Sequence, residues 1–211
     1  MQGEIRMDNL ITALLDGNQT QAILEARTLL ESGVDHKQII TGGVEAAMAQ
    51  LDARCTIEQF NLLEIMLCGR AAMGVMKELY PVEEARPQTK GGVVLASLEG
   101  DVHDLGKNIF KMILTVSGYR VIDCGKDCPL PRLVEIAAQQ PILAVGVSGL
   151  ITTVIPQVSL VKEQIGRARM ENVCVIAGGA ALKQATPDGL NVDYVAQSAF
   201  DGLHYLEEMI G

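Results

Sequence analysis

Over the first 80 residues, apolar positions recur at the spacing of a single helix face. Met7, Leu10, Ile11, Leu14 and Leu15 form one such set, and Ala22, Ile23, Ala26, Leu29 and Leu30 a second. Ile40, Val44, Ala47, Met48 and Leu51 form a third, and the longest and most apolar helix is expected from about Ile57 to Leu79. Three starts carry a capping residue with a Gln three positions on: Asn18 with Gln21, Asp35 with Gln38, Thr56 with Gln59. Such pairs satisfy amides of a first turn that have no partner within the helix. The Ser32-Gly33 step suits a helix end. Four short antiparallel helices with brief turns predict a small bundle.

From Pro81 to Gly92 the pattern breaks, with two prolines, several charges and a Gly pair, which marks a linker. Beyond it, apolar and largely β-branched runs predict strands at Val93–Ala96, Tyr119–Cys124, Ile142–Val147, Val173–Ala177 and Tyr194–Ala196. Helical stretches alternate with them, at about 105–117, 129–139, 154–168 and 199–210. Five βα units predict an α/β fold: a flavodoxin-like, five-stranded parallel sheet of order 2-1-3-4-5, covered by helices on both faces. Its ligand crevice belongs at the carboxyl ends of the strands. The expected domains are therefore a helical bundle over residues 1–88 and an α/β domain over residues 89–211.

Composition narrows the function. Of the 211 residues 48% are hydrophobic, which fits a globular protein with a workable core. Only 3% are aromatic and none is Trp, so stacking platforms for bases or sugars are not expected. A net charge of −9 disfavours nucleic acid and anionic membrane surfaces. The N-terminus reads as an amphipathic helix and not a signal peptide, and no apolar stretch is long enough to span a bilayer. A soluble, cytoplasmic protein is the expectation. Cys55, Cys68, Cys124, Cys128 and Cys174 make no disulfide framework. Cys124 and Cys128 lack a second pair at ligand spacing, so ordinary thiols are expected rather than a zinc site.

Three loops at the strand ends carry the unusual residues. Ser97-Leu98-Glu99-Gly100-Asp101-Val102-His103-Asp104-Leu105-Gly106 follows the first strand, Ser148-Gly149-Leu150-Ile151-Thr152 the third, and Gly178-Gly179 the fourth. An imidazole is a good ligand for a borderline transition metal, and the proton on its other nitrogen needs an acceptor. Asp101, two residues before His103, can curl beneath it for that purpose. Gly106 and the Gly178-Gly179 pair let backbone approach something bulky. Taken alone, the Asp-x-His pair reads more readily as a helix-capping histidine beside a solvated aspartate; the coincidence of three loops changes that balance.

Together, Asp101-x-His103-x-x-Gly106, Ser148-x-Leu150 and Gly178-Gly179 resemble the signature of cobalamin-binding modules that hold their cofactor base-off and His-on. Such modules occur in methionine synthase, in corrinoid proteins of methanogens and acetogens, and in several mutases. The run Gly100 to Asn108 is most similar to the carriers of cobalamin-dependent methyl transfer, which also place a helical bundle before the module.

The resemblance implies that His103 is the lower axial cobalt ligand and Asp101 its hydrogen-bonded partner, with Val102 and Gly106 among the cofactor-binding residues. It implies that Ser148, Leu150, Gly178 and Gly179 line the slot for the nucleotide tail, with Thr152 on the same wall. One position departs: methionine-synthase-like modules place a Ser six residues after the Ser-x-Leu serine, and Val154 stands here. A proton relay from His103 then ends at Asp101 or uses Thr152, Thr153 or water. On the fourth helix Leu63, Met66 and Met73 share a face. They are either ordinary core, like Met48 and Met76, or part of an apolar lid over the upper corrin surface. Arg70 falls on the same stripe, where the resemblance implies a small residue, and is free to reach a partner protein.

The implied function is that of a methyl carrier, the corrinoid subunit of a multi-component methyltransferase and not a self-contained enzyme. Cobalt(I) takes the methyl group from a substrate-specific methyltransferase and gives it to an acceptor methyltransferase that uses a folate or thiol; a reductive activator protein is the third implied partner. Rival readings are the small subunit of a mutase, which typically lacks a bundle, and a cobalamin-binding regulator or sensor, which needs an output segment. A receiver domain would require an Asp at the end of the third strand, where Ser148 stands. A flavin domain would require a phosphate loop after the first strand. The methyl donor (methoxylated aromatic, methylamine, betaine or methanol) is not legible in the residues.

Overall fold

A computed structural model describes residues 2–54, 61–81 and 90–211, with side chains from Met7 onward. The chain divides into two compact units, residues 1–87 and 88–211.

The first unit is helical. Its elements are α1 (Gln2–Leu15), α2 (Gln19–Glu31), α3 (His36–Ile39), α4 (Ala46–Arg54) and α5 (Leu62–Leu79). Two expected caps form: the Asn18 side chain accepts the Gln21 amide at 3.1 Å, and the Asp35 side chain accepts that of Gln38 at 2.8 Å. Each such cap stabilises its helix by roughly 1 kcal/mol. The Gln side chains do not complete the reciprocal half; Gln21 bonds Glu25 instead. The pairing of Thr56 with Gln59 lies outside the described residues. The last helix begins at Leu62, later than the predicted residue 57, because Asn61 takes a non-helical conformation and accepts the Glu64 amide at 3.2 Å. Gly33, at φ +86°, ends α2 as expected, and its neighbour Val34 donates back to the Leu29 carbonyl.

The third predicted helix is one helical run with a six-residue π segment, Ile40–Glu45, between α3 and α4. Gly42 and Gly43 lie in it against α1, and a Cβ on Gly43 would come within 2.6 Å of Leu10 Cδ2. Leu10, Leu14, Leu29, Ile39, Leu51 and Ile65 are fully buried and make the core with small residues such as Ala22, Ala26 and Ala71. Trimming one of these leucines to Ala costs about 2–5 kcal/mol through lost burial and the cavity left. The methionines split between environments. Met48 and Met76 are core, whereas Met66 is 39% exposed and its stripe neighbour Leu63 more so.

The second unit is a five-stranded, wholly parallel sheet of order β2-β1-β3-β4-β5, as predicted. The strands are β1 (Gly92–Ser97), β2 (Arg120–Asp123), β3 (Ala144–Ser148), β4 (Cys174–Gly178) and β5 (Tyr194–Ala196). The helices α6 (Leu105–Val116), α7 (Leu130–Ala138), α8 (Ile155–Arg167) and α10 (Ala199–Ile210) match their predicted ranges closely. A short α9 (Pro187–Leu190), capped by Thr186, was not foreseen. Helices α6 and α10 pack together on one face, and α7 packs with α8 on the other. Both faces of the central strands are thus covered, which is why β1 is buried at every position and reads as a continuous apolar run.

Register places Ser97 beside Ser148, Ser148 beside Gly178, and Gly178 beside Ala196. Small residues therefore line up across the carboxyl edge of the sheet, where the three unusual loops depart. Among the described residues no helix is long and apolar enough to cross a membrane.

Candidate functional site at the carboxyl edge of the sheet

The loop after β1 turns sharply at Gly100, whose φ of +92° favours glycine. The turn carries Asp101 inward, and its side chain is fully buried. One carboxylate oxygen accepts the backbone amide of His103 at 2.9 Å and lies 2.8 Å from His103 Nδ1. The other accepts the backbone amide of Leu150 at 2.7 Å. Burial alone would raise the Asp101 pKa, but the bonds from Leu150 and His103 outweigh it and hold the carboxyl below its ordinary value. An ionised carboxylate only accepts, so Nδ1 is the donor to Asp101, and Nε2 is the nitrogen left to present a lone pair in the neutral ring. The His103 ring is half exposed.

This geometry removes the capping alternative. Asp101 is not solvated, and the residue that opens α6 is Asp104, not His103. Each Asp101 oxygen accepts at least one N–H donor, from His103 on one side and Leu150 on the other. Neither Thr152 nor Thr153 is bonded to it. Val154 is fully buried in the apolar core between the sheet and α8.

Other predicted residues gather at the same edge. Val102 is 57% exposed and Leu150 47%, as is Leu105, which was not among the predicted residues, so exposed apolar side chains lie on the His103 loop and on the Leu150 loop bonded to Asp101. Leu150 supplies a backbone amide as well. Gly106 lies across from the Ser148 hydroxyl, which a Cβ there would approach at 3.8 Å. Gly179, at φ +105°, runs so close to the next loop that a Cβ would sit on the Gly149 carbonyl. Thr152 is exposed and opens a 3₁₀ turn, Thr152–Val154. Met66 and Met73 belong to α5 of the helical unit, Met66 exposed and Met73 half-buried.

Two contributions were missed. Ser97, fully buried, donates its hydroxyl to the His103 carbonyl at 3.0 Å and holds the far side of the loop. Its signal was a polar residue ending an otherwise apolar strand. Gln157 of α8 donates to the Glu99 carbonyl at 2.8 Å, a contact with no local signature in the chain. The buried thiol of Cys124 is pushed up to about 12 and that of Cys174 to about 11, chiefly by burial, which makes them poor nucleophiles and metal ligands.

Comparison with known proteins gives the family of the chain. The family described as "B12 binding domain" matches residues 91–202. Dimethylamine corrinoid protein 1 of Methanosarcina acetivorans is 32% identical over 197 residues, covering 90% of each chain. The trimethylamine corrinoid protein of Methanosarcina barkeri is 28% identical over 195 residues, again covering 90% of each. In fold, the chain is similar to a cobalamin-binding protein from Desulfitobacterium hafniense DCB-2, with a TM-score of 0.77, 23% identity and coverage of 97% and 98%. It is also similar to the methanol:cobalamin methyltransferase complex MtaBC from Methanosarcina barkeri, with a TM-score of 0.79, 24% identity and coverage of 97% of this chain and 79% of that one.

Proposed function

Because the chain belongs to the B12-binding domain family and is homologous to the methylamine corrinoid proteins of methanogens, we propose that it is a corrinoid-binding methyl carrier. The corrinoid supplies the chemistry, a cobalt centre able to take up and release a methyl group. This chain's residues hold and tune it. His103 Nε2 ligates cobalt from below in the base-off, His-on mode, and Asp101 fixes the ring's tautomer and orientation. Val102, Leu105 and Leu150, with Gly106, would be the residues available to pack against the bound corrinoid. Ser148, Leu150, Thr152, Gly178 and Gly179 border the slot for the displaced nucleotide tail, which the row of small residues across the sheet edge supports. Met66 and Met73, on α5 of the helical unit, would be the residues of that unit to supply an apolar cover against water.

One observation carries this reading: a half-exposed imidazole whose Nδ1 is tied to a fully buried, ionised carboxylate. Ring nitrogens fixed in this way are made for metal ligation. A substrate-specific methyltransferase loads the carrier, a second methyltransferase unloads it to a folate or thiol, and a reductive activator restores it after oxidation. The relatives' names divide between dimethylamine and trimethylamine at similar identity, which supports a donor chosen by the loading enzyme. Their alignment over 90% of both chains, the helical half included, favours the carrier over a mutase subunit or a regulator.

The test is electron paramagnetic resonance of the reconstituted cobalt(II) protein. Wild type should bind one corrinoid per chain and show nitrogen hyperfine splitting that His103→Ala abolishes. A wild-type splitting that survives in His103→Ala, as the cofactor's own base would give, sinks the base-off assignment.

A further inference from the structure

The loop between β2 and α7 is none of the three motif-bearing loops, yet it makes more bonds to the His103 segment than the other two do. The Gly125 carbonyl accepts the Ser97 amide at 3.0 Å. Cys128 donates to the Ser97 carbonyl at 2.9 Å and accepts the Glu99 amide at 2.9 Å, so the two loops continue the parallel ladder past the end of the sheet. Asp127 then makes two bonds of a different kind. Its backbone amide donates to the Asp101 carbonyl at 3.0 Å, and its carboxylate accepts the Gly100 amide at 2.8 Å.

Those two bonds grip the peptide planes on either side of the Gly100–Asp101 pair. Gly100 is the conformationally freest residue of the loop, and Asp101 follows it directly. With both flanking planes held by one residue, the backbone angles between them are set. The buried Asp101 carboxylate is thereby aimed at His103 and Leu150. Asp127 makes these two hydrogen bonds from a left-handed conformation, φ +52°, which its short polar side chain tolerates but most residues resist. It is exposed, so its own burial adds nothing to the core.

The loop is anchored from the other side too. Asp123, at the end of β2, accepts the Gly125 amide at 2.9 Å and the buried Lys107 ammonium at 2.6 Å. Lys107 belongs to α6, which starts two residues after His103. The ligand-bearing segment is thus fixed upstream through Asp127 and downstream through Lys107 by this loop and the end of β2 that leads into it.

We propose that Asp127 is a positioning residue: by clamping the Gly100–Asp101 backbone it sets the Asp101 carboxylate that fixes the tautomer and orientation of His103. The inference rests on the carrier reading only for the identity of what His103 ligates.

The experiment uses the full-length chain labelled with ¹⁵N, without added corrinoid, and reads the ring-nitrogen shifts of His103 at a pH where the ring is neutral. Asp127→Gly keeps the left-handed backbone and removes the carboxylate; Asp127→Asn keeps both the conformation and an acceptor oxygen. The Nδ1–H to Nε2–H ratio should fall about fivefold in Asp127→Gly, the size expected for loss of one ordinary hydrogen bond. It should stay at the wild-type value in Asp127→Asn. Gln157→Ala removes a bond to the same loop outside the clamped pair and should leave the ratio unchanged. An unchanged ratio in Asp127→Gly overturns the proposal, as does an equal fall in all three variants. With corrinoid bound, the His-ligated cobalt(II) fraction should follow the same order. A wild-type signal from the cofactor's own base would count against cobalt ligation alone, while the tautomer ratios still decide the role of Asp127.

Discussion

The two units of this chain put their polar groups in opposite places. In the helical unit, polar side chains work at the surface, where Asn18, Asp35 and Asn61 cap helix starts, and the interior is apolar. In the α/β unit, Ser97, Asp101, Lys107 and Ser117 are buried, and the first three lie in or beside the His103 segment. Burying such groups costs free energy unless each finds partners. Here Ser97, Asp101 and Lys107 do, in bonds of 2.6–3.0 Å. One unit is put together for stability, and the other holds a preset arrangement of charge and lone pair at one edge. The helical unit's own irregularity is apolar: the exposed Leu63–Met66 stripe on α5.

Separating the units tests this contrast most severely. A fragment of residues 88–211 should bind corrinoid within about threefold of the full chain, since the histidine, its partners and the glycine-lined edge all lie in it. The fragment of residues 1–87 should bind none. Equilibrium dialysis with cob(II)alamin reads both, and a fragment 88–211 that folds but fails to bind would assign the helical unit a share of the affinity that the comparison denies it.

A smaller effect compares two left-handed glycines. Gly33 in the helical unit has open space where a Cβ would go, so Gly33→Ala should cost only the conformational strain, about 1 kcal/mol. Gly179→Ala meets the Gly149 carbonyl as well and should cost about 2–4 kcal/mol. Urea unfolding of the two variants measures the difference. Equal losses would mean that the strand-end loops yield as easily as a helix terminus.

How much of this was legible before the structure depends on the kind of signal. Sheet order and helix ranges follow from periodicity and from buried, β-branched strands, because a strand covered on both faces must be apolar throughout. The capping oxygens of Asn18 and Asp35 could be read for a similar reason: their bonds are made within three residues of themselves. The π segment at Ile40–Glu45 was not legible, since it answers to the close approach of α1 at Gly43, a contact made across the bundle. The same division holds in the site. The bond between Asp101 and His103 spans two residues and could be anticipated. The Leu150 amide on Asp101, the Gln157 bond and the Asp127 clamp each join residues more than 25 positions apart, and no local spacing encodes them.

Acid should separate the units further. Burial pushes the Asp123 carboxyl up, but bonds from Lys107, Gly125 and Lys111 hold it below its ordinary value. A carboxylate lowered in the folded state stabilises fully above its unfolded pKa, near pH 4, and loses that contribution as pH falls through the folded value. Between pH 6 and pH 3 the α/β unit should therefore lose stability, and Asp123→Asn should reduce that loss by about 1 kcal/mol. The matching carboxylate of the helical unit, Glu78, is also lowered, by Arg27, but on a solvated surface where salt screens the pair. Glu78→Gln should flatten the acid profile much less, and adding 0.5 M salt, on the order of five times the concentration at which such pairs are already screened, should erase its effect. A profile equally sensitive to both changes would remove the distinction between a buried polar network and a surface pair.

The smallest effect concerns the exposed stripe. If Met66 helps to shield the upper corrin face, Met66→Ala should shorten the lifetime of the reduced cofactor in limited oxygen, because part of an apolar cover is gone. It should barely alter folding stability, by roughly 0.5 kcal/mol or less, since an exposed side chain gives up little burial. Met76→Ala on the same helix should do the reverse: Met76 is core, so the loss should be about 2–5 kcal/mol in stability, with the cofactor lifetime unchanged as long as the unit is folded. The pair distinguishes cover from core within one helix by oxidation rate and unfolding free energy. A Met66→Ala protein with the wild-type lifetime would return the stripe to ordinary surface and leave the helical unit's exposed apolar face to some partner other than the cofactor.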